Sequence, residues 1–137
     1  GFTRDKDGMP NYYDDFLPHN WGENFVVYTG THDNNTTNGW FASLGREDKD
    51  IVLSYLGCDE HDMLSCMLRT LMLSHARTAI IPMQDVLGKG EEARMNYPST
   101  CNDRNWSWRM LKDACTDDSA FTLAHLVEIS ARTGKLG

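Results

Sequence analysis

The stretch Val26-Val27-Tyr28-Thr29-Gly30-Thr31-His32-Asp33-Asn34-Asn35-Thr36 limits the possible folds more than any other part of the chain. An apolar run stops abruptly at small, amide, imidazole and carboxylate groups. Val26, Val27 and Tyr28 favour an extended backbone, and Thr29, Gly30 and Thr31 allow a tight bend after them. A strand is therefore expected from Phe25 to Tyr28, with His32 and Asp33 projecting from its C-terminal end. A buried strand that ends in polar groups suits an α/β barrel, where chemistry is done at the C-terminal strand ends.

The rest of the pattern agrees with repeated β/α units. Arg46 to Leu56 reads as a helix, with Glu47 and Asp48 at its positive N-terminal end and Gly57 as its stop. A second helix is expected from about Glu60 to Ala76, capped by Asp59, with Met63, Met67 and Leu71 on its buried stripe. Ala79-Ile80-Ile81 reads as a second strand ended by Pro82, and Met83 to Gly88 as a helical turn over the strand end. Asn96 to Trp108 has the chemistry of a long ordered loop. A last helix is expected from about Ser119 to Arg132, with Ala120, Leu123, Val127 and Ala131 buried and Gly134 as its stop. Two strands cannot close a sheet by themselves. The expected fold is thus α/β, residues 1–137 forming the C-terminal part of a (β/α)8 barrel with no separate domain. The chain begins at Gly1 rather than Met and continues as a mid-protein loop, so a processed or partial chain is expected, with the rest of the barrel upstream.

Charge narrows the partners. The formal net charge of -7 and the lack of a basic run argue against nucleic acid. No apolar run approaches the roughly 20 residues of a membrane span. The four cysteines, Cys58, Cys66, Cys101 and Cys115, form no C-x-x-C pair, so free thiols in a reducing compartment are expected. His19, His32, His61, His75 and His125 show no metal-ligand spacing. No metal and no cofactor are implied.

The polar groups suit a sugar. Carboxylates, amides and imidazoles hydrogen-bond hydroxyls in fixed directions, and aromatic rings cover the apolar faces of pyranoses. His32, Asp33, Asn34, Gln84, Asp85, Asn96 and Trp106 are the candidate site residues. Asp85 serves equally well as a turn cap for Val86-Leu87. Of Trp106 and Trp108, one is expected in the core and one at a cleft. Arg94 and Arg109 are expected to hold loops through carbonyl or carboxylate contacts rather than to touch a neutral substrate.

The segment Tyr28-Thr29-Gly30-Thr31-His32-Asp33-Asn34-Asn35-Thr36-Thr37-Asn38-Gly39-Trp40-Phe41 closely resembles the 4-α-glucanotransferases known as amylomaltases or disproportionating enzymes, family 77 of the glycoside hydrolases. Ala79-Ile80-Ile81-Pro82-Met83-Gln84-Asp85-Val86-Leu87-Gly88 resembles that family too. So do Glu92-Ala93-Arg94-Met95-Asn96-Tyr97-Pro98 and Asn105-Trp106-Ser107-Trp108-Arg109. The resemblance implies a (β/α)8 barrel and a retaining double displacement on maltooligosaccharides or α-glucans in the cytoplasm or a plastid. Asp33 matches the family's transition-state-stabilising carboxylate, and His32 the neighbouring imidazole that bonds a sugar hydroxyl. No segment matches the nucleophile or the acid/base. The alternatives are a hydrolase of the α-amylase clan and a non-catalytic glucan-binding fragment.

Overall fold

The structure is a computed structural model that describes residues 2–133. Its elements, in chain order, are β1 (Val26–Tyr28), α1 (Thr37–Ser43), α2 (Arg46–Leu56), α3 (Met63–Met72), β2 (Thr78–Ile80), α4 (Met83–Val86) and α5 (Asp117–Ile129), with 3-10 turns at Pro18–Asn20 and Glu91–Ala93. The two strands pair in a two-stranded sheet. The chain divides into two compact units, one formed by residues up to Val27 with Leu44–Ile80, the other by Tyr28–Ser43 with Ile81 onward.

The first unit is built on apolar packing. α2 and α3 are in contact, and Leu17, Val52, Met63, Leu68, Leu71, Met72 and Ala76 are buried. α2 has its expected bounds. Glu47 and Asp48 occupy its first turn, and Gly57 ends it at φ 68, a left-handed conformation that glycine adopts without strain. α3 is shorter than its apolar pattern predicts. Asp59 does not cap it; its Oδ1 accepts from the His61 and Asp62 amides, closing a separate turn ahead of the helix. At the other end Ser74 Oγ donates back to the Leu71 carbonyl, a local bond that competes with further helix.

The strands are less enclosed than expected. Val27 is buried, but Val26 and Tyr28 are 57% and 48% exposed, so β1 is covered on one face only. β2 lies one residue earlier than expected. Pro82 cannot donate a ladder hydrogen bond and restricts Ile81 before it, and regular pairing stops at Ile80.

The second unit holds a helix that the sequence reading missed. α1 carries Thr37, Asn38 and Gly39 in its first turn, all weak helix formers. A local cap and a long-range contact support it: Thr36 Oγ1 accepts from the Gly39 amide at 3.0 Å, and Asp85 Oδ1 accepts from the Thr37 amide at 2.8 Å. Gly39 leaves room there for the Asn35 amide, which a Cβ would displace. α5 begins at Asp117, with Thr116 accepting from the Ser119 amide. Its expected stripe is only half right. Leu126 is its buried residue and Leu123 and Val127 are half-buried, whereas Ala120 and Ala131 are exposed. The small alanines gain little from burial, and the larger Leu126 turns inward instead. Ala131, at φ 55, turns the backbone after the helix, and the Arg132 amide bonds back to the Val127 carbonyl. Gly134, the expected stop, lies outside the described residues.

Candidate active site

Everything that holds the His32-Asp33 pair belongs to the second unit. After β1 the chain bends through Thr29, Gly30 and Thr31. Asn34 stabilises that bend itself: its Oδ1 accepts from the Thr31 amide at 2.8 Å and from Thr31 Oγ1 at 3.0 Å. The Asp33 amide in turn donates to Thr31 Oγ1. The backbone is thereby fixed before any ligand is present, and the His32 and Asp33 side chains stay about half exposed.

The segment Arg94-Met95-Asn96 grips this bend from a distance of more than 60 positions in sequence. Asn96 Nδ2 donates to Asp33 Oδ1 at 2.7 Å, and the Asn96 amide donates to the His32 carbonyl at 3.0 Å. Arg94 Nη2 donates to the Asp33 carbonyl at 2.7 Å, while its Nε bonds the Asn96 carbonyl at 2.9 Å. His32 Nε2 lies 3.4 Å from Asp33 Oδ2. One carboxylate oxygen thus takes an amide hydrogen and the other faces an imidazole, a geometry that directs the charge without burying it.

Trp106 joins the pair from a third segment. Its ring lies against the His32 imidazole, centroids 4.9 Å apart and planes 39° from parallel, and it remains 52% exposed. Its φ is 62, an uncommon left-handed value for a bulky residue, and its amide bonds the Met95 carbonyl at 2.7 Å. Such strain needs support from its surroundings and concentrates at functional sites. Trp108 is half-buried. A cleft of about 230 Å³ opens beside His32, lined in part by His32, Asn34, Gln84, Asp85 and Arg94.

Two of the candidate site residues, Asp85 and Asn34, also hold the local structure. Asp85 is 3% exposed. Its carboxylate accepts from the Thr37 amide and from the hydroxyls of Thr37 and Thr29. Asp85 is expected either to bind substrate or to cap the turn Val86-Leu87; its three donors come from Thr29 and Thr37, and it also lines the cleft. Asn34 is a bend stabiliser through its carbonyl oxygen, as above. Gln84 donates to the Ala93 carbonyl at 3.3 Å, a weak bond on the cleft wall. The arginine expectation is met in kind: Arg94 holds main-chain carbonyls, and Arg109 does the same for the carbonyls of Trp106 and Trp108. What the sequence reading missed is that Asn96 acts on Asp33. Residues separated by 63 positions carry no local signal of such a bond.

In the first unit Asp59, His61 and Asp62 offer ligand atoms within 4.8 Å of one another, all exposed. Asp59 Oδ1 is already taken by two amides, and His61 Nδ1 lies 3.1 Å from Asp62 Oδ1, which accounts for the grouping without an ion. The four cysteines are free thiols.

The sequence profile described as 4-alpha-glucanotransferase, glycoside hydrolase family 77, matches residues 2–114. The chain belongs to this family. It is 46% identical over 121 residues to the potato 4-alpha-glucanotransferase, chloroplastic/amyloplastic, which covers 88% of this chain and 21% of that protein. The Thermus thermophilus 4-alpha-glucanotransferase is 39% identical over 134 residues, or 92% of this chain and 26% of that one. Among solved structures, an amylomaltase from Streptococcus agalactiae in complex with acarbose superposes with a TM-score of 0.83 at 38% identity, covering 96% of this chain and 26% of its own. The chain therefore spans about a fifth to a quarter of the length of these relatives. The 4-alpha-glucanotransferase motifs quoted above fall on β1 and the bend after it, on β2 with α4, and on the loops that carry Arg94, Asn96 and Trp106. No helix among the described residues is long and apolar enough to cross a membrane.

Proposed function

We propose that this chain supplies the transition-state-stabilising part of a 4-α-glucanotransferase, both units belonging to the C-terminal portion of a (β/α)8 catalytic barrel. The reaction moves a 1,4-linked glucan segment between maltooligosaccharides by two displacements. In the first, a carboxylate nucleophile forms a bond to the anomeric carbon as the glycosidic C–O bond breaks, and the general acid protonates the leaving oxygen. In the second, the 4-hydroxyl of an acceptor sugar displaces the carboxylate and gives its proton to the same residue, now a base. We place the nucleophile and the acid/base outside these 137 residues, in keeping with the small share of the relatives that the chain spans.

Within the chain, Asp33 stabilises the oxocarbenium-like charge that develops in each displacement, and His32 bonds a hydroxyl of the same ring. The observation that carries this reading is the half-exposed Asp33 carboxylate held by Asn96 Nδ2 and faced by His32 beside an open cleft. Trp106 offers an aromatic face to the sugar beside His32, and Gln84 lines the cleft. A reducing cytoplasmic or plastid compartment suits the four free cysteines.

The test is Asp33→Asn in the full-length enzyme, assayed by maltotriose disproportionation. The side-chain size is kept and the charge is lost. A fall in kcat of at least ~100-fold is expected, as for loss of one preorganised electrostatic group, with the melting temperature unchanged. An unaltered kcat would assign Asp33 to structure.

A further inference from the structure

We infer that Arg94 is the positioning residue for the Asp33 carboxylate, an inference that rests on the catalytic reading of Asp33. Segment 94–96 holds the His32-Asp33 dipeptide at the His32 carbonyl, the Asp33 carbonyl and Asp33 Oδ1. Two of these bonds come from Asn96, and Arg94 fixes both partners at once. Its Nε and Nη2 hold the carbonyls of Asn96 and Asp33. The guanidinium is planar and its donors are fixed relative to one another, so the two peptide groups cannot shift independently. The guanidinium also lies 4.7 Å from the centre of the Tyr97 ring, which supports it from one side.

The consequence is mechanical. Asn96 Nδ2 can direct Asp33 Oδ1 only while the backbones of residues 33 and 96 keep their spacing, and the Arg94 guanidinium bridges the carbonyls of both. Without Arg94 the carboxylate remains on the chain and remains charged, but its aim at the reacting ring loosens. Misplacement on the scale of an ångström costs catalysis far more than it costs ground-state binding. Arg94 therefore acts through Asp33 and not on the sugar.

Arg94→Ala and Arg94→Lys in the full-length enzyme test this, measured beside Asp33→Asn in the maltotriose assay. Both Arg94 variants are expected to lose about 10- to 100-fold in kcat with KM nearly unchanged. Lysine should fail like alanine, because an ammonium is a point charge that cannot hold two carbonyls in one plane. Added guanidinium ion at millimolar concentration should partly restore Arg94→Ala and leave Asp33→Asn unaffected. A rise in KM at constant kcat would make Arg94 a sugar ligand and overturn the inference. So would a lowered melting temperature with kcat per folded enzyme retained, or full activity in Arg94→Lys. If Asp33→Asn is itself fully active, the catalytic reading falls first and this inference with it; if Asp33→Asn is inactive while both Arg94 variants keep kcat, only the positioning role falls.

Discussion

The two units are held together in different ways. In the first, α2 and α3 meet along apolar stripes, and Val52, Met63, Leu68 and Leu71 disappear from solvent. Its charged contacts are at the surface, as where Arg4 reaches Glu47 and Asp48, with no more than a modest expected effect. The second unit relies on polar nodes. Asp85 ties α1 to α4 and to the bend after β1, while Arg94 and Asn96 tie one loop to the His32-Asp33 pair. Apolar packing is non-directional and tolerates adjustment, whereas hydrogen bonds fix angles. The unit that carries the candidate site is thus the one held by directional bonds.

The contrast is tested hardest at its two centres. Asp85→Ala strands three donors that now share a charged acceptor, and should cost about 3–5 kcal/mol of stability. Leu68→Ala, at the heart of the apolar unit, should cost about 2–4 kcal/mol through lost transfer energy and a cavity. Urea unfolding monitored by circular dichroism gives both values. The variants should also part in activity: loss of Asp85 releases the Thr29–Thr37 bend and should lower kcat even where the fold survives. An Asp85 variant that costs under about 1 kcal/mol would show that α1 does not depend on its carboxylate.

A smaller effect separates the members of the site. His32→Ala should reduce kcat/KM by about 1.5–3 kcal/mol, less than the Asp33 change, because a neutral hydrogen bond is weaker than a charge-assisted one. Stability should hardly move, since the imidazole is half exposed. A defect larger than that of Asp33→Asn, with both assayed at one pH, would mean that the two roles are exchanged.

The mildest test concerns the first unit. Burial, reinforced by a hydrogen bond with Cys66, pushes the Cys58 thiol up to about 11 from an ordinary 9.0. The thiolate is the reactive form. Because the folded-state value is raised, Cys58 stays protonated through the window from 9.0 to about 11. At pH 8 iodoacetamide should label exposed Cys101 well before Cys58, and the Cys58 rate should keep rising until the pH approaches that value. Equal rates at pH 8, read by peptide mass spectrometry, would show that α2 and α3 do not shield this thiol.

How much could be read in advance follows the same division. The first unit was legible. The acidic start at Glu47 and Asp48 and the stop at Gly57 gave α2 its bounds, because helix ends are set by local properties. The errors there are at α3, where Asp59 and Ser74 divert hydrogen bonds over a few residues, and at β2, which ends one residue early before Pro82. In the second unit the sequence marked where function lies but not how it is organised. The bend and His32-Asp33 were found from an apolar run meeting a polar cluster, and long motifs carried the family.

What the sequence determined by itself is therefore the set of local choices: where strands and helices arise, which residues turn the chain, and which chemical groups meet at a strand end. Tertiary structure alone decided the rest. It made Asp85 a buried node that ties down the start of α1, set Trp106 in a strained left-handed conformation against His32, and brought Arg94 and Asn96 to Asp33 across 61 and 63 positions. The physical reason is range. Propensity and periodicity act over a few residues, whereas a hydrogen bond forms wherever folding brings a donor to an acceptor, whatever their separation along the chain.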